Sequence, residues 1–139
     1  MRQKQITFTI RTRGQGLHEF THEVARWLQS ESVSMGVVTL FCRHTSAGLT
    51  IQENADPDVL HDLAVFFKSL VPEGSVGFRH ADEGPDDMPA HIRATLSGVS
   101  LSIPVAQGKM VLGTWQGIFL FEHRQMPHQR QVVGCFVGE

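Results

Sequence analysis

Two histidines, His80 and His91, flank the most acidic part of the chain. Between them, residues 82–87 place four carboxylates in six positions. Carboxylates held this close repel one another, so a folded segment of this kind needs solvent, a basic side chain or a bound cation to balance them. Imidazole nitrogens beside carboxylate oxygens are ligands that suit Zn²⁺, Mn²⁺ or Fe²⁺. The segment is therefore a candidate metal site.

Asp87 and His91 are four residues apart at a predicted helix start, so their side chains share one face of that helix. A carboxylate in this position can orient a metal-bound or catalytic imidazole through the second ring nitrogen. The alternative is an ordinary capping aspartate beside an exposed histidine. That alternative accounts for Asp87 but leaves His80 and the other carboxylates unexplained, so the spacing favours a functional role.

His44 directly follows a predicted strand and opens the run His44-Thr45-Ser46-Ala47-Gly48. Counting by twos places its side chain on the same side as Leu40 and Cys42, which faces the core. Two interpretations stay open. His44 is either a ligand or catalytic group at the rim of the core, or a histidine at the edge of the core whose ring hydrogen-bonds to backbone.

Glu122, His123 and Arg124 end a long strand-like run in which Gln116 is in phase with Glu122 and Arg124. The planar fork of an arginine at a strand end suits a phosphate, because it donates two parallel hydrogen bonds. The alternative for Glu122 is a plain ion pair with Arg124 or Arg130. Near the second predicted helix lies another polar cluster, Asn54, Asp58 and Asp62, which is either a binding group or a set of helix-dipole partners.

The apolar patterns predict the elements that must position these side chains. Alternation predicts strands over residues 3–11, 35–43, 48–53, 99–104, 109–124 and 131–137. Helices are predicted over 21–30 with Thr21 as the cap, from Asp56 and Pro57 to about 70 with Leu60, Leu63, Ala64 and Phe67 facing inward, and from Asp87 to Gly98.

The run 109–124 is too long for one flat strand, and Gly113 and Gly117 mark bulges or a bend. A loop from about 72 to 88 separates the last two helices, and loops of this length in compact domains are usually functional or disordered. The order of these elements predicts an α+β fold with a mainly antiparallel sheet and two to three helices, in a single domain over residues 1–139.

The composition narrows the classes of partner. A net charge of −2 and 19% charged residues give no general electrostatic reason to expect nucleic acid or an anionic membrane. The first residues lack the apolar core of a signal peptide, so we expect a cytoplasmic protein. Cys42 and Cys135 each lie in an apolar, strand-like run, which predicts two buried, reduced thiols. The sequence has no Cys-x-x-Cys pair, Walker loop or Gly-x-Ser-x-Gly motif.

Four motifs, taken in order, resemble the YjbQ family, also called UPF0047. They are the run from His44 to Ala47, the run from Glu53 to Asp58, the run from Glu83 to Ile92, and Gly113-Thr114-Trp115-Gln116-Gly117-Ile118 followed by Glu122-His123-Arg124. The resemblance covers nearly the whole chain. It implies a compact α+β fold, a homotrimer with sites near the subunit interfaces, a bound metal or anion, and a secondary activity as a thiamine-phosphate synthase.

Carried over by position, the resemblance assigns three groups of residues. A divalent metal, with Zn²⁺, Mg²⁺ and Mn²⁺ as candidates, is expected at His44, His80 and His91. Catalytic roles are expected for His44, Asp87, Glu122 and His123. Substrate contacts are expected from Thr45, Ser46, Asn54, Asp58, Gln116 and Arg124.

Two functions compete on this basis. The first is a metal-assisted enzyme, of the transferase type, that acts on a phosphorylated small molecule. In thiamine phosphate formation a cation would neutralise the leaving pyrophosphate while Arg124, Thr45 and Ser46 hold phosphate oxygens. The alternative is a non-catalytic trimeric module that binds a metal or a small ligand.

Overall fold

The computed structural model describes residues 1–74 and 77–139, and within these ranges the chain forms eight strands and three helices. In chain order they are β1 (Arg2–Arg11), β2 (Gly16–Glu19), α1 (Thr21–Ser30), β3 (Gly36–Cys42), β4 (Ala47–Glu53), α2 (Pro57–Leu70), α3 (Asp87–Ser97), β5 (Ser100–Ala106), β6 (Lys109–Met110), β7 (Gln116–Glu122) and β8 (Gln129–Gly138).

The strands form two sheets in which every recorded pair is antiparallel. One sheet has five strands in the order β1-β8-β3-β5-β6, and the other has three in the order β2-β7-β4. The predicted α+β class with a mainly antiparallel sheet is confirmed. None of the helices in the described part of the chain is long and apolar enough to cross a membrane.

Alternating apolar residues place the core between the five-stranded sheet and the elements packed on it. Phe8 and Ile10 of β1 are buried, as are Val38 and Leu40 of β3, which is the period of two expected for a strand with one face covered. Trp27 of α1 meets the Phe8 ring edge-on with centroids 6.0 Å apart. Helix α1 therefore covers this sheet with its Val24, Trp27 and Leu28 stripe.

A glycine allows the end of α3 to approach β4. A Cβ at Gly48 would lie 2.3 Å from the Ser97 hydroxyl oxygen and 2.4 Å from the Gly98 carbonyl oxygen. The same contact is held by a hydrogen bond of 3.0 Å from the Leu49 amide to the Gly98 carbonyl. This close approach fixes α3, which carries Asp87 and His91, against the three-stranded sheet.

Helix ends were predicted with mixed success. Asp56 caps α2 by accepting a hydrogen bond of 3.0 Å from the Asp58 amide, and α3 stops at Gly98 with φ 83°, both as predicted. Thr21 was the wrong cap for α1. It is the first helical residue, and its hydroxyl instead donates to Glu19 and accepts a hydrogen bond of 2.8 Å from the Ile118 amide.

Several other predictions need correction. The run 109–124 is two strands, β6 and β7, which belong to different sheets. The short β2 was not predicted. The predicted inner face of α2, Leu60, Leu63, Ala64 and Phe67, is only half-buried. Cys135 is also half-buried, whereas Cys42 is buried, and both thiols are free. The predicted loop 72–88 ends where α3 begins at Asp87, and its residues 75–76 lie outside the described residues.

Candidate metal centre

The start of α3 and the segment before it bring two imidazoles to one carboxylate. His80, Asp87 and His91 each present a ligand atom, and these atoms lie within 4.8 Å of one another. Asp87 and His91 are one helical turn apart on α3, so the helix itself sets their spacing. His80 comes from the preceding segment and lies with its ring centroid 5.4 Å from that of His91. We call these three residues the metal group.

Hydrogen bonds indicate which ring nitrogen of His91 carries a proton. His91 Nδ1 lies 2.8 Å from the Thr45 carbonyl oxygen, and because a carbonyl can only accept, Nδ1 carries the proton. In a neutral imidazole the lone pair is then on Nε2, which lies 3.1 Å from Asp87 Oδ2. His80 Nε2 lies 2.5 Å from the same oxygen. The Nε2–oxygen contact of His91 therefore needs either a second proton on the ring or a cation between the atoms.

The electrostatics of the group favour an ionised carboxylate. Burial opposes ionisation of Asp87, but the hydrogen bond from His80 and the charge of Arg124 outweigh it and lower the pKa of Asp87. The hydrogen bond to Asp87 raises the pKa of His80, with further help from the charges of Glu83 and Asp82. An anionic oxygen of Asp87 therefore faces His80 Nε2, which can give up its proton to a competing cation.

Arg124 supplies the positive charge that the acidic segment was expected to require. Its Nε donates to Asp86 Oδ2 at 3.0 Å, and its Nη1 donates to Asp87 Oδ1 at 2.6 Å. A third donor, Nη2, reaches the Glu83 carbonyl at 3.1 Å. These contacts engage three of the donors that were predicted to hold a phosphate. They also leave Oδ2 of Asp87 directed toward the imidazoles.

His44 lies outside the metal group, and its predicted role as a metal ligand stays a prediction. Its Nε2 accepts a hydrogen bond of 2.8 Å from the Gln131 amide, and its Nδ1 lies 3.4 Å from Arg130 Nη1. Burial, and then the charge of Arg130, lower the pKa of His44. The backbone hydrogen bond matches the interpretation of His44 as a histidine at the edge of the core. Asp87, expected to act behind the ligands, itself presents an oxygen to the metal group.

A cleft of about 620 Å³ adjoins the metal group, and His91 belongs to both. It lies between the end of β3 and one face of α3. Its apolar wall is formed by Phe41, Cys42, Ala94 and Val99, and its polar rim by Arg43, His44, Thr45, His91 and Thr95. A small molecule in this cleft would have an apolar wall on one side and His91, the residue shared with the metal group, on its rim.

Glu122 is fully buried and belongs to an ion pair with Arg130. Arg130 Nε donates to Oε1 at 2.9 Å and Nη2 donates to Oε2 at 2.5 Å, while the Thr12 hydroxyl donates to Oε1 at 2.7 Å. Burial opposes ionisation of Glu122, yet these hydrogen bonds lower its pKa. Arg130 also donates to the Ser46 hydroxyl at 3.0 Å. The geometry matches the ion-pair alternative for Glu122, and its catalytic role stays a prediction.

His123 lies in the interior beside two phenylalanine rings. Its ring centroid is 4.4 Å from that of Phe121 and 6.4 Å from that of Phe67, and its Nε2 lies 3.2 Å from the Ser97 hydroxyl. Burial, followed by the charge of Arg93, lowers the pKa of His123 to about 3. The imidazole is therefore neutral at physiological pH. Its catalytic role also stays a prediction.

Three predicted substrate contacts lie at the other end of the three-stranded sheet. Gln116 pairs with Glu53, whereas Glu122 at the far end of β7 pairs with Ala47. Six residues of strand separate the two ends by roughly 20 Å. Gln116 accepts a hydrogen bond from the Gly113 amide, and Asn54 donates to Glu19. Asp58 is exposed on the first turn of α2. Within one chain, these three side chains lie apart from the metal group.

Arg93 is an interior residue that the sequence reasoning missed. Its side chain is 2% exposed on α3, and it donates to the Val71 carbonyl at 2.7 Å. A sequence signal existed, because Arg93 is in helical phase with Pro89 and Ala90, which are buried. A charged residue in phase with a buried apolar stripe marks an interior ion pair.

Comparison with known proteins agrees with the fold and the motifs. The family profile described as UPF0047 protein YjbQ-like matches residues 4–139. UPF0047 protein sll1880 of Synechocystis is 54% identical over 99% of this chain and 94% of its own length. UPF0047 protein YjbQ of Escherichia coli O157:H7 is 41% identical over 97% of this chain and 98% of its own length.

Solved structures give the same result. The hypothetical protein APE1520 from Aeropyrum pernix superposes with a TM-score of 0.88 at 29% identity, over 98% of this chain and 99% of its own. An uncharacterised YjbQ/UPF0047 protein from Clostridium acetobutylicum superposes with a TM-score of 0.85 at 38% identity, over 95% of this chain and 99% of its own. The chain belongs to the YjbQ-like UPF0047 family.

Proposed function

We propose that this protein binds a divalent metal ion through His80 Nε2, Asp87 Oδ2 and His91 Nε2. One observation carries the proposal: His91 Nδ1 donates a hydrogen bond to the Thr45 carbonyl, so in the neutral ring the lone pair of Nε2 faces a carboxylate oxygen 3.1 Å away. Two electron-rich atoms at this distance repel unless a proton or a cation lies between them. A metal-binding histidine usually donates its second ring nitrogen to a carbonyl or carboxylate, as His91 does.

The donor set favours Zn²⁺ among the three candidate metals. Two imidazoles and one carboxylate leave a coordination position open, which is the arrangement of catalytic rather than closed zinc sites. Mn²⁺ accepts the same mixed set. Mg²⁺ fits less well because it prefers oxygen ligands and retains several waters. A ligand in the cleft would lie next to the metal group at His91.

We propose further that the site acts on a phosphorylated small molecule. The cleft combines an apolar wall with Arg43, His44 and Thr45 on its rim, which suits an organic ring that carries a phosphate. Arg43 and the Thr45 hydroxyl can hold phosphate oxygens, whereas Arg124 holds Asp86 and Asp87 in place. A neutral His44, whose pKa is lowered, can accept a proton only if its Nε2 leaves the Gln131 amide.

Thiamine phosphate synthesis is the specific reaction proposed for this cleft. The bond between the pyrimidine methylene carbon and a pyrophosphate oxygen breaks, and the thiazole nitrogen forms a bond with that carbon. A bound divalent cation would neutralise charge on the departing pyrophosphate. Arg43 and Thr45 would orient the pyrophosphate, and the apolar wall would exclude water from the methylene carbon.

A binding module without turnover is the second candidate. Glu122 and His123, two of the four residues predicted to be catalytic, are 0% and 1% exposed, and neither lines the cleft. This observation favours a site that holds a metal and a ligand without proton transfer by those two side chains. Under this candidate the cleft binds a phosphorylated compound and releases it unchanged.

We propose that the protein assembles as a homotrimer through the outer face of the five-stranded sheet. Val37, Phe41 and Val137 are 41%, 49% and 36% exposed on that face, and they lie on the neighbouring strands β3 and β8. Exposed apolar side chains grouped in this way often mark a protein interface. Phe41 also lines the cleft, so a neighbouring subunit on this face would lie beside the site. Light scattering that finds a monomer at micromolar concentration would contradict this proposal.

The metal proposal is tested by elemental analysis of purified protein and by Zn²⁺ titration. We expect one Zn²⁺ per chain in the parent protein and loss of most binding in Asp87→Asn and His91→Ala. His22→Ala is the matched control, because His22 is an exposed histidine on α1. Unchanged stoichiometry in Asp87→Asn and His91→Ala would contradict the metal site.

The enzyme and the binding module are separated by an assay with the two phosphorylated halves of thiamine phosphate. We expect product above background only with Mn²⁺ or Zn²⁺ present, and loss of product in Arg43→Met. Tight binding of either half without product, measured by calorimetry, favours the binding module. Absence of both product and binding would contradict the phosphorylated-ligand proposal.

A further inference from the structure

Glu73 ties down the beginning of the segment that carries His80. Gln15 Nε2 donates to Glu73 Oε1 at 2.5 Å, and Gln125 Nε2 donates to Glu73 Oε2. Arg93 Nη1 lies 3.8 Å from Oε1. The Arg93 side chain is 2% exposed and its hydrogen bonds go to backbone carbonyls. Glu73, within ion-pair distance, is therefore the main carboxylate that balances this buried cation, with a smaller contribution from the charge of Asp86.

The other end of this segment, at Asp86, is held by the same residue, Gln125, that holds Glu73. The backbone amide of Gln125 donates to Asp86 Oδ2 at 2.9 Å, while the side-chain amide of Gln125 donates to Glu73. The Gly74 amide donates to the Pro85 carbonyl at 3.0 Å. This hydrogen bond joins the two stems of the segment, residues 73–74 and 85–86, to each other. His80 lies between these stems. Its position relative to Asp87 therefore depends on how both stems are held.

We propose that Glu73 is a positioning residue for the metal group, and this inference rests on the metal site proposed above. Asp87 and His91 are placed by α3 itself, whereas His80 reaches them only through the segment that Glu73 anchors. Without the Glu73 charge, Arg93 loses the carboxylate within ion-pair distance, and the Gln15 and Gln125 amides lose a strong acceptor. The stem is then free to shift, and His80 Nε2 no longer stays at the metal group.

A double-mutant cycle on Zn²⁺ affinity tests this role. The four proteins are the parent, Glu73→Gln, His80→Ala and the variant with both changes, each titrated with Zn²⁺ against a chromogenic chelator. We expect Glu73→Gln to weaken Zn²⁺ binding about 10- to 100-fold, the usual effect of losing a group that supports a ligand. In the His80→Ala background the same change should have no further effect, because the ligand that Glu73 positions is gone.

A matched control removes charge without touching the segment. Glu23 is exposed on α1, where it pairs with Arg26 at 4.0 Å, so Glu23→Gln should bind Zn²⁺ as the parent does. Equal affinity of Glu73→Gln and the parent overturns the proposal. An equal loss with and without His80 also overturns it, since a merely structural role of Glu73 would weaken both backgrounds alike.

The proposal stays testable if the parent protein fails to bind Zn²⁺, which would count against the metal site alone. Hydrogen exchange at the backbone amides of residues 77–85, leaving out proline, then measures how firmly the segment is held. We expect faster exchange in Glu73→Gln than in Glu23→Gln. Equal exchange rates in those two variants would overturn the positioning role.

Discussion

Two arginine–carboxylate pairs differ in how much of the carboxylate is left for other partners. Glu122 receives hydrogen bonds on both oxygens from Arg130, and also from Thr12 and two backbone amides. Asp87 receives Arg124 on Oδ1 and offers Oδ2 to His80 and His91. Both carboxylates are buried. The difference separates a carboxylate whose two oxygens both accept hydrogen bonds from arginine from one that keeps an oxygen facing two imidazoles.

The largest effect is expected from breaking the Arg130–Glu122 pair. Glu122→Gln leaves the Arg130 guanidinium, 5% exposed, without its anionic partner, and breaking a buried pair usually costs about 3–5 kcal/mol of the free energy of unfolding. Urea denaturation of the variant and the parent measures this loss. A change below about 1 kcal/mol would mean that Glu122 contributes little to stability, and its role in catalysis would deserve a direct test.

The second prediction makes the same carboxylate-to-amide change in the Arg124–Asp87 pair. Asp87→Asn removes the charge between the two imidazoles, so Zn²⁺ affinity should fall at least about 100-fold, which is roughly 2.7 kcal/mol. The free energy of unfolding should fall less than in Glu122→Gln, because the partner Arg124 is 19% exposed and keeps Asp86. Competition titration and urea denaturation of the same two variants measure both quantities. The reverse order of effects would contradict the proposed division of roles.

The metal group could largely be predicted from the sequence because its spacing is local. Asp87 and His91 share a helical face, and the acidic segment adjoins His80. The place of His44 could not be predicted, because its partner Gln131 lies 87 residues away and meets it only through the pairing of β3 with β8. Period-two counting placed His44 at the edge of the core but could not show that a backbone amide faces its Nε2.

The strands show the same contrast. Those with an apolar pattern of their own could be predicted, whereas those that depend on pairing with distant segments could not. Strand alternation predicted β1, β3, β4 and β8 because each carries its own apolar period. The four residues of β2 carry one large apolar side chain, Leu17, and they are a strand because they pair with β7. The split of residues 109–124 between two sheets likewise depends on partners, since β6 pairs with β5 and β7 pairs with β2 and β4.

The third prediction extends the comparison to pH. The pKa of His123 is lowered to about 3, so below about pH 6.5 the unfolded chain binds a proton at this histidine that the folded chain does not. The free energy of unfolding should therefore decrease as pH falls from about 6.5 toward 3, by about 1.4 kcal/mol per pH unit from this residue. His123→Phe should remove that contribution, measured by urea denaturation between pH 7 and 4. Parallel curves for the two proteins would contradict it.

The pH dependence of metal binding should have a different origin. The raised pKa of His80 means that a proton competes with the cation at Nε2 even above pH 6.5. Zn²⁺ affinity should therefore decrease as pH falls through this raised pKa, and His123→Phe should leave that dependence unchanged. Competition titrations between pH 8 and 6 measure it. A flat affinity over this range would show that His80 gives up no proton on binding.

The smallest effects come from making the same conservative change in both pairs. Arg124→Lys and Arg130→Lys keep the charge but lose the planar fork that donates two hydrogen bonds to carboxylates. At Arg124 the loss should be about 1 kcal/mol of the free energy of unfolding, because solvent reaches the pair. At Arg130 it should be larger, because Ser46 and Glu122 lose hydrogen bonds in the interior. Zn²⁺ affinity should change less than about tenfold in Arg124→Lys, since a lysine can still hold Oδ1 of Asp87 and leave Oδ2 to the imidazoles. A larger loss of stability from Arg124→Lys than from Arg130→Lys would show that the Arg124–Asp87 pair contributes more to the stability of the fold than the Arg130–Glu122 pair does.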